Sequence, residues 1–243
     1  MSKPKKTPGS DEFEALREAL LVATLPHVAF EGWTHGALRA GAAAAGLEAG
    51  DVQRAFPGGP IEAIDAFNRL ADRKMVEALQ AIDLDAIRTR DRIAAALRAR
   101  LEWATPHKEA VRRALTLLAL PFNAPRALGM LHRTVDAAWH AAGDRSTDYN
   151  WYTKRGLLAG VYSATVLYWL GDKSEGHADT WTFLDRRIDN VMRIGGAIGR
   201  ATKALGELRN PFWPPRGPGG RGPYGRGSDE PRGPDPDPPP RQR

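Results

Sequence analysis

From Gly156 to Gly171 the chain runs without a single charged residue, and the stretch is apolar on nearly every side of a helical projection. At about 1.5 Å per residue it falls short of the roughly 20 residues needed to cross a bilayer. A helix with no polar face has to be wrapped by other elements, so this segment is expected to be the central helix of a bundle. The rest of the sequence agrees with that constraint. Ala, Leu and Arg dominate, apolar residues recur at helical spacing, and the period-2 alternation of strands is missing. The expected fold class is all-α.

Breaks in the periodicity set the expected helix boundaries. A first helix is expected over about Asp11–Leu25, with Leu16, Leu20 and Val28 among its apolar positions and Pro26 near its end. Gly32-Trp33-Thr34 reads as a turn in which Thr34 is a good N-cap. A second helix then runs to about Ala44 and stops at Gly46, and a short third covers about Ala49–Phe56. Pro57-Gly58-Gly59-Pro60 breaks the chain before a fourth helix over about Ile61–Leu79. Further helices are expected over about Leu84–Ala104, Glu109–Leu120, Ala127–Ala141, Gly156–Leu170 and Thr180–Ile194. The Ala127 helix places Leu128, Leu131, Val135 and Trp139 on one stripe. The Thr180 helix turns Trp181, Leu184, Ile188, Val191 and Met192 inward, leaving Asp185, Arg186, Asp189 and Arg193 as a solvated, salt-bridged face.

The formal charge of +6 sits mostly at the ends: residues 1–10 carry three Lys and no acid, residues 207–243 contribute +2, and the part between is nearly neutral at +1. The high pI is therefore weak grounds for a nucleic-acid surface. Asn210 to Arg243 holds 11 of the 19 prolines and almost no aliphatic residue, too little apolar surface to offset ordering, so residues 211–243 are expected to be a disordered Pro/Gly/Arg tail. There is no cysteine, which removes disulfides, thiolate nucleophiles and thiolate metal ligands. The opening Met-Ser-Lys-Pro-Lys-Lys has neither the apolar region of a secretory signal nor a transit-peptide pattern. The expected location is therefore cytoplasmic and bacterial, peripherally on the inner membrane, with no cleavable targeting segment. The expected divisions are an N-terminus over 1–10, a head over 11–75, a bundle over 76–194 and an amphipathic helix over 195–210 ahead of the tail.

Ahead of the uncharged helix stands Ser146-Thr147-Asp148-Tyr149-Asn150-Trp151-Tyr152-Thr153-Lys154-Arg155, three rings interleaved with groups that want water. Such an amphipathic aromatic rim suits a lipid site or a protein-docking surface; the alternative is a helix start whose aromatics fold inward as core. At the other end, Ile198, Ala201, Leu205 and Leu208 are helically spaced with Arg200 and Lys203 opposite, followed by Phe212-Trp213. That segment fits either a membrane interface or an ordinary final helix packed on the bundle. Its glycines Gly196, Gly199 and Gly206 weaken it as a helix in water.

Catalytic constellations are not evident. The histidines at 27, 35, 107, 132, 140 and 177 form no i, i+4 pair and no Glu-x-x-His motif, and no phosphate loop or nucleophile elbow occurs. A binding protein rather than an enzyme is expected, with no cofactor and no metal.

The layout over residues 11–75, with its turn at Gly32-Trp33-Thr34 and its short third helix, resembles a TetR-type DNA-binding head. The third helix reads Glu48-Ala49-Gly50-Asp51-Val52-Gln53-Arg54, two acids against one Arg where a recognition helix needs cations for phosphates. The head is thus a degenerate helix-turn-helix and no nucleic-acid partner is expected; a TetR-type ligand-responsive transcriptional regulator is the alternative function.

Several segments together resemble the ubiquinone-biosynthesis accessory family of coenzyme Q biosynthesis protein nine. They are the run from Asp144 through Arg155, Phe56-Pro57-Gly58-Gly59, Ala71-Asp72-Arg73, Asn123-Ala124-Pro125, and Trp181 through Met192. The resemblance implies a TetR-like helical bundle, homodimeric, that binds isoprenoid quinone intermediates or other lipids. It also implies that these are presented to the demethoxyubiquinone hydroxylase at the membrane surface. Carried over to this sequence, the partner-binding residues are Asp148, Trp151, Tyr152 and Arg155. The membrane-contacting residues are Ile198, Leu205, Leu208, Phe212 and Trp213. The candidate lipid-binding residues are the apolar bundle positions Leu131, Val135, Leu158, Val161, Tyr162, Val166, Trp169, Trp181, Leu184 and Ile188.

Overall fold

The computed structural model describes residues 8–143 and 150–191, apart from the side chains of residues 8–10, 85 and 150–152. Thr34 does what its position predicts: extended at φ −128°, its side chain accepts a hydrogen bond from Ala37 N at 3.0 Å and starts α2 (His35–Ala44). Upstream, α1 (Pro8–Glu31) runs past Pro26, where a break was expected. Pro26 lies on the exposed face, where the carbonyl deprived of its donor can turn to water, while Leu25 and Val28 are buried on either side and hold the turn helical. Gly32, at φ +73°, then ends the helix. Where α1 crosses α2, a Cβ on Gly41 would sit 2.7 Å from Thr24 Cα, so only glycine allows this approach.

After α3 (Ala49–Ala55), α4 (Pro60–Gln80) starts on the Pro-Gly-Gly-Pro break with Gly59 at φ +66°. Then come α5 (Thr89–Ala104), α6 (Lys108–Leu118), α7 (Ala124–Ala141), α8 (Asn150–Gly171) and α9 (residues 178–191). The described residues include no strand. The expected Leu84 helix is instead a short turn at Leu84–Ala86 followed by α5. Residues 192–243, including the expected helix over 195–210 and the tail, lie outside the described residues, as do residues 144–149.

Two apolar cores are stacked along α4. The head core gathers Leu20, Leu25, Val28, Trp33, Leu38 and Phe56 with Ile64, Phe67 and Leu70 of α4. The bundle core gathers Met75 and Leu79 of α4 with Leu97, Leu101, Trp169, Leu184 and Ile188 among others. No seam falls at residue 75, because α4 is continuous through both cores, and Ala110, Ala114 and Met130 from α6 and α7 complete the head core. Trp33 Nε1 also donates to Ala110 O at 2.9 Å, and the Trp33, Phe67 and Trp103 rings follow one another at 5.8 and 5.6 Å. The expected inward stripe of α9 is present: Trp181, Leu184 and Ile188 are buried. Its acids are tied to α5, with Arg90 Nε 2.6 Å from Asp189 and Nη2 3.9 Å from Asp185.

The turn from α8 into α9 is organised by Asp172, whose side chain is 2 % exposed. Its carboxylate accepts from Ser174 N at 2.8 Å, Ser174 Oγ at 2.7 Å, Thr180 N at 3.0 Å and Thr180 Oγ1 at 2.5 Å. Burial alone would raise its pKa, but these hydrogen bonds outweigh it and hold the carboxyl well below the usual range. A depressed folded-state pKa contributes stability that is complete above the unfolded value of about 3.9 and is lost as pH falls below it. Urea unfolding between pH 7 and pH 3 should therefore show a steep loss of stability on acidification. Asp172→Asn should be less stable at pH 7 and show a visibly shallower acid limb.

Candidate functional site

Between α4, α6, α7 and α8 the packing leaves a cavity of about 300 Å³, at the small end of the roughly 300–1,000 Å³ of ligand sites. Its walls are apolar: Phe67 from α4, Ala114 and Leu115 from α6, Leu131 from α7, and Val166 from α8 are representative. Leu128 and Leu167 border it and are 65 % and 67 % exposed, so the cavity opens to the surface between α7 and α8 past two bare leucines. The sequence stripe placed Leu128 inward beside Val135 and Trp139; it lies outside because α7 covers the bundle only from Met130 onward, its first turns flanking the opening instead.

At the opposite, covered end the lining turns polar. Arg100 of α5 is 6 % exposed in its side chain, and three other helices supply its partners. Its Nε donates to Asp72 Oδ1 at 2.8 Å, Nη1 to the Tyr162 hydroxyl at 2.5 Å, and Nη2 to Asn68 Oδ1 at 2.5 Å. Thr134 Oγ1 donates to the same Asp72 oxygen at 2.9 Å and accepts from Asn68 Nδ2 at 3.2 Å. Burial opposes the charge on Arg100, but Tyr162 and Asp72 more than offset it and its pKa is raised. Burial likewise pushes the Tyr162 phenol up; Arg100 pulls it down and Asp72 pushes it up, and the net shift is upward. At neutral pH the end of the cavity is thus one ion pair and one protonated phenol.

Of the ten lipid-binding positions expected from the sequence, Leu131, Tyr162 and Val166 line this cavity. Val135, Trp169, Trp181 and Leu184 pack in the bundle core. Leu158, Val161 and Ile188 border only a separate void of about 20 Å³. The wall residues of α4 and α6 were missed, as were Asn68, Arg100 and Thr134. Arg100 did carry a signal: it stands three residues after Leu97 and seven after Ile93, inside the apolar stripe of α5.

The expected docking patch is only partly described. Asp148 lies outside the described residues; Trp151 and Tyr152 fall on the first turn of α8, their side chains likewise outside. Arg155 is 8 % exposed and ion-paired to Asp136 of α7, at 2.7 Å from Nε and 2.6 Å from Nη2. It fastens α8 to α7. The membrane-contacting candidates Ile198, Leu205, Leu208, Phe212 and Trp213 all lie outside the described residues. In the head, Asp51 accepts from Glu48 N at 2.9 Å, capping α3, and holds Arg54 in an ion pair. No single helix among the described residues is long and apolar enough to cross a membrane.

The COQ9 family model matches residues 124–195. "Ubiquinone biosynthesis protein COQ9, mitochondrial" of Drosophila melanogaster is 39 % identical over 186 residues, covering 74 % of this chain and 56 % of the fly protein. The Homo sapiens protein of the same name is 34 % identical over 200 residues, covering 80 % of this chain and 63 % of its own length. The chain thus spans rather more than half the length of these relatives. Among solved structures, a TetR transcriptional regulator from Nitrosomonas europaea ATCC 19718 superposes with a TM-score of 0.61 at 20 % identity, over 73 % of this chain and 98 % of the regulator, which shows a shared TetR-like fold. The relatives overturn the expected bacterial cytoplasmic location, since they are named mitochondrial. That expectation rested on the first few residues, which carry no such information in a sequence spanning part of its relatives.

The Arg100 cluster makes a quantitative demand. Removing one partner of a buried ion pair strands the other, at a cost of about 3–5 kcal/mol, whereas replacing both by apolar groups is often close to neutral. Asp72→Ala should lose stability on that scale in urea unfolding, and Arg100→Met combined with Asp72→Leu should recover most of it.

Proposed function

The chain belongs to the COQ9 family, and we propose that it is a mitochondrial, lipid-binding accessory protein of ubiquinone biosynthesis that takes isoprenoid quinone intermediates into its cavity and delivers them to the demethoxyubiquinone hydroxylase. The observation that carries this reading is the apolar cavity between α4, α6, α7 and α8 with its exposed leucine mouth. A polyprenyl chain is too apolar to stay free in water, and each Å² of it covered contributes about 25 cal/mol. Covering a few isoprene units is therefore worth several kcal/mol, enough to hold the molecule without any covalent link. The segment with Ile198, Leu205, Leu208, Phe212 and Trp213 is assigned to membrane contact by its apolar and aromatic residue types. The protein acts as a homodimer and carries out no chemistry of its own. The regulator alternative is the weaker one, since the single cation of α3, Arg54, is engaged by the acid that caps the same helix.

Docking to the hydroxylase is assigned to the start of α8. Trp and Tyr there are residue types that concentrate interface energy. Arg155 contributes differently, because its guanidinium is buried against Asp136 and fastens α8 to α7.

Two measurements test these assignments. Protein purified under native conditions should carry isoprenoid quinones or their precursors in near-stoichiometric amounts by mass spectrometry, and Ala114→Phe, which fills the cavity, should lower that load several-fold. An empty wild-type protein, or one holding only bulk phospholipid, contradicts the carrier reading. Separately, Trp151→Ala should abolish co-purification of the hydroxylase while leaving the melting curve and lipid load intact; unchanged complex formation would remove the patch from the interface.

A further inference from the structure

Resting on the reading that the cavity holds a lipid, we propose that its polar end is a receptor for an uncharged acceptor oxygen. The ligand then enters ring first, with a carbonyl, phenol or ether oxygen against Tyr162 and Arg100, and its tail leaves between Leu128 and Leu167.

The donors are arranged for this. The Tyr162 hydroxyl oxygen accepts from Arg100 Nη1. Its own proton, retained because the phenol pKa is raised, goes to no acceptor among the described residues. A guanidinium carries five N–H groups; Arg100 gives the one on Nε to Asp72, one on Nη1 to Tyr162, and the two on Nη2 to Asn68 Oδ1 and to Asn68 O and Thr134 Oγ1, leaving one on Nη1 beside the phenol. Two donors therefore stand side by side in the lining of a cavity whose other polar residues are Asn68, Thr134 and Ser163 and whose remaining wall is apolar.

The charge balance selects the kind of oxygen. Arg100 is already neutralised by Asp72, with both side chains under a tenth exposed. A carboxylate or phosphate placed here would add an uncompensated charge to a buried site, which costs far more than the hydrogen bonds return. A neutral acceptor meets no such penalty. A fatty acid or phospholipid headgroup is thereby disfavoured, while a quinone or its phenolic precursors fit.

Size and exposure select the orientation. Arg100 is covered while Leu128 and Leu167 are bare, so the polar end is the inner one. About 300 Å³ accommodates a substituted ring and the first part of a tail, but not a long polyprenyl chain. The rest of the tail passes the leucine mouth to whatever apolar surface lies outside. Delivery to an enzyme is then release of the ring from the cavity and not exposure of a ring held at the rim.

The test uses the full delipidated chain and three probes: a short-tailed ubiquinone, an isoprenoid hydrocarbon of similar size without oxygen, and oleate, each titrated by tryptophan fluorescence. Wild type should bind the quinone more tightly than the other two. Tyr162→Phe should weaken the quinone about tenfold, the weight of one buried hydrogen bond, while hydrocarbon binding stays the same and so certifies the fold. A second reading needs no variant: the carbonyl stretch of the bound quinone in wild type should fall below its position in hydrocarbon solvent. Equal loss of both ligands' affinity, no loss of either, or an unshifted carbonyl overturns the ring-first proposal while leaving the cavity as a lipid site. Tighter binding of oleate than of the quinone overturns the neutral-oxygen assignment. Failure of wild type to bind any probe overturns the carrier reading itself.

Discussion

A guanidinium at position 100 cannot be buried alone, and much of the bundle is arranged around that fact. Taking such a charge out of water costs several kcal/mol unless its donors are met. Arg100 on α5 meets Asn68 and Asp72 on α4 and Tyr162 on α8, and Thr134 on α7 closes the ring through Asp72. Each partner fixes the rotation of the helix that carries it. Hydrophobic burial drives these helices together but is tolerant of sliding and rolling. The hydrogen bonds to one planar group are not, and they set the register in which α4, α7 and α8 leave a cavity between them.

The same geometry explains why the head is retained as an integral part of the molecule. Phe67 and Ile64 belong to the head core and also line the cavity, as do Ala114 and Met130, which reach the head from α6 and α7. The head therefore supplies one wall of the cavity. Its third helix meanwhile uses Asp51 twice, as the cap of α3 and as the counter-ion of Arg54, the one cation of that helix. Whatever that helix touches, the head is needed for the cavity, because its core and the cavity share side chains.

The sequence shows those parts of the fold that depend on local chemistry and on the amount of apolar surface. The uncharged helix is not wrapped on every side as expected, for Leu167 is 67 % and Tyr168 40 % exposed, but Thr34 as a cap and the breaks at Gly46 and Pro57-Gly58-Gly59-Pro60 could be read directly. So could the TetR-like arrangement over residues 11–75 and the family, from the Trp181 segment and the decapeptide ending at Arg155. Pro26 misled because its effect depends on which face it occupies, a tertiary property: on the exposed side of α1 the lost donor is harmless. The cavity was harder still. Leu131 and Leu184 sit at equally good core positions, yet one borders space and the other solid packing, and periodicity cannot distinguish them. Leu128 shows the limit most clearly, since its place on the stripe predicts burial and its place in the molecule is the open mouth.

What was legible, and overlooked, is the polar residue in an apolar stripe. Arg100 lies on the same face of α5 as Ile93 and Leu97, and Asn68 and Asp72 are one turn apart on α4 next to Leu70 and Ala71. Groups of this kind are retained inside a core only with partners, and the partners must come from other helices. A charged residue at an inward position of one helix and a carboxylate at an inward position of the next therefore predict that the two helices pack face to face. They also predict where an otherwise apolar interior will have a polar end. The ten apolar positions chosen from the stripes located the bundle core; the three polar ones would have located the cavity within it.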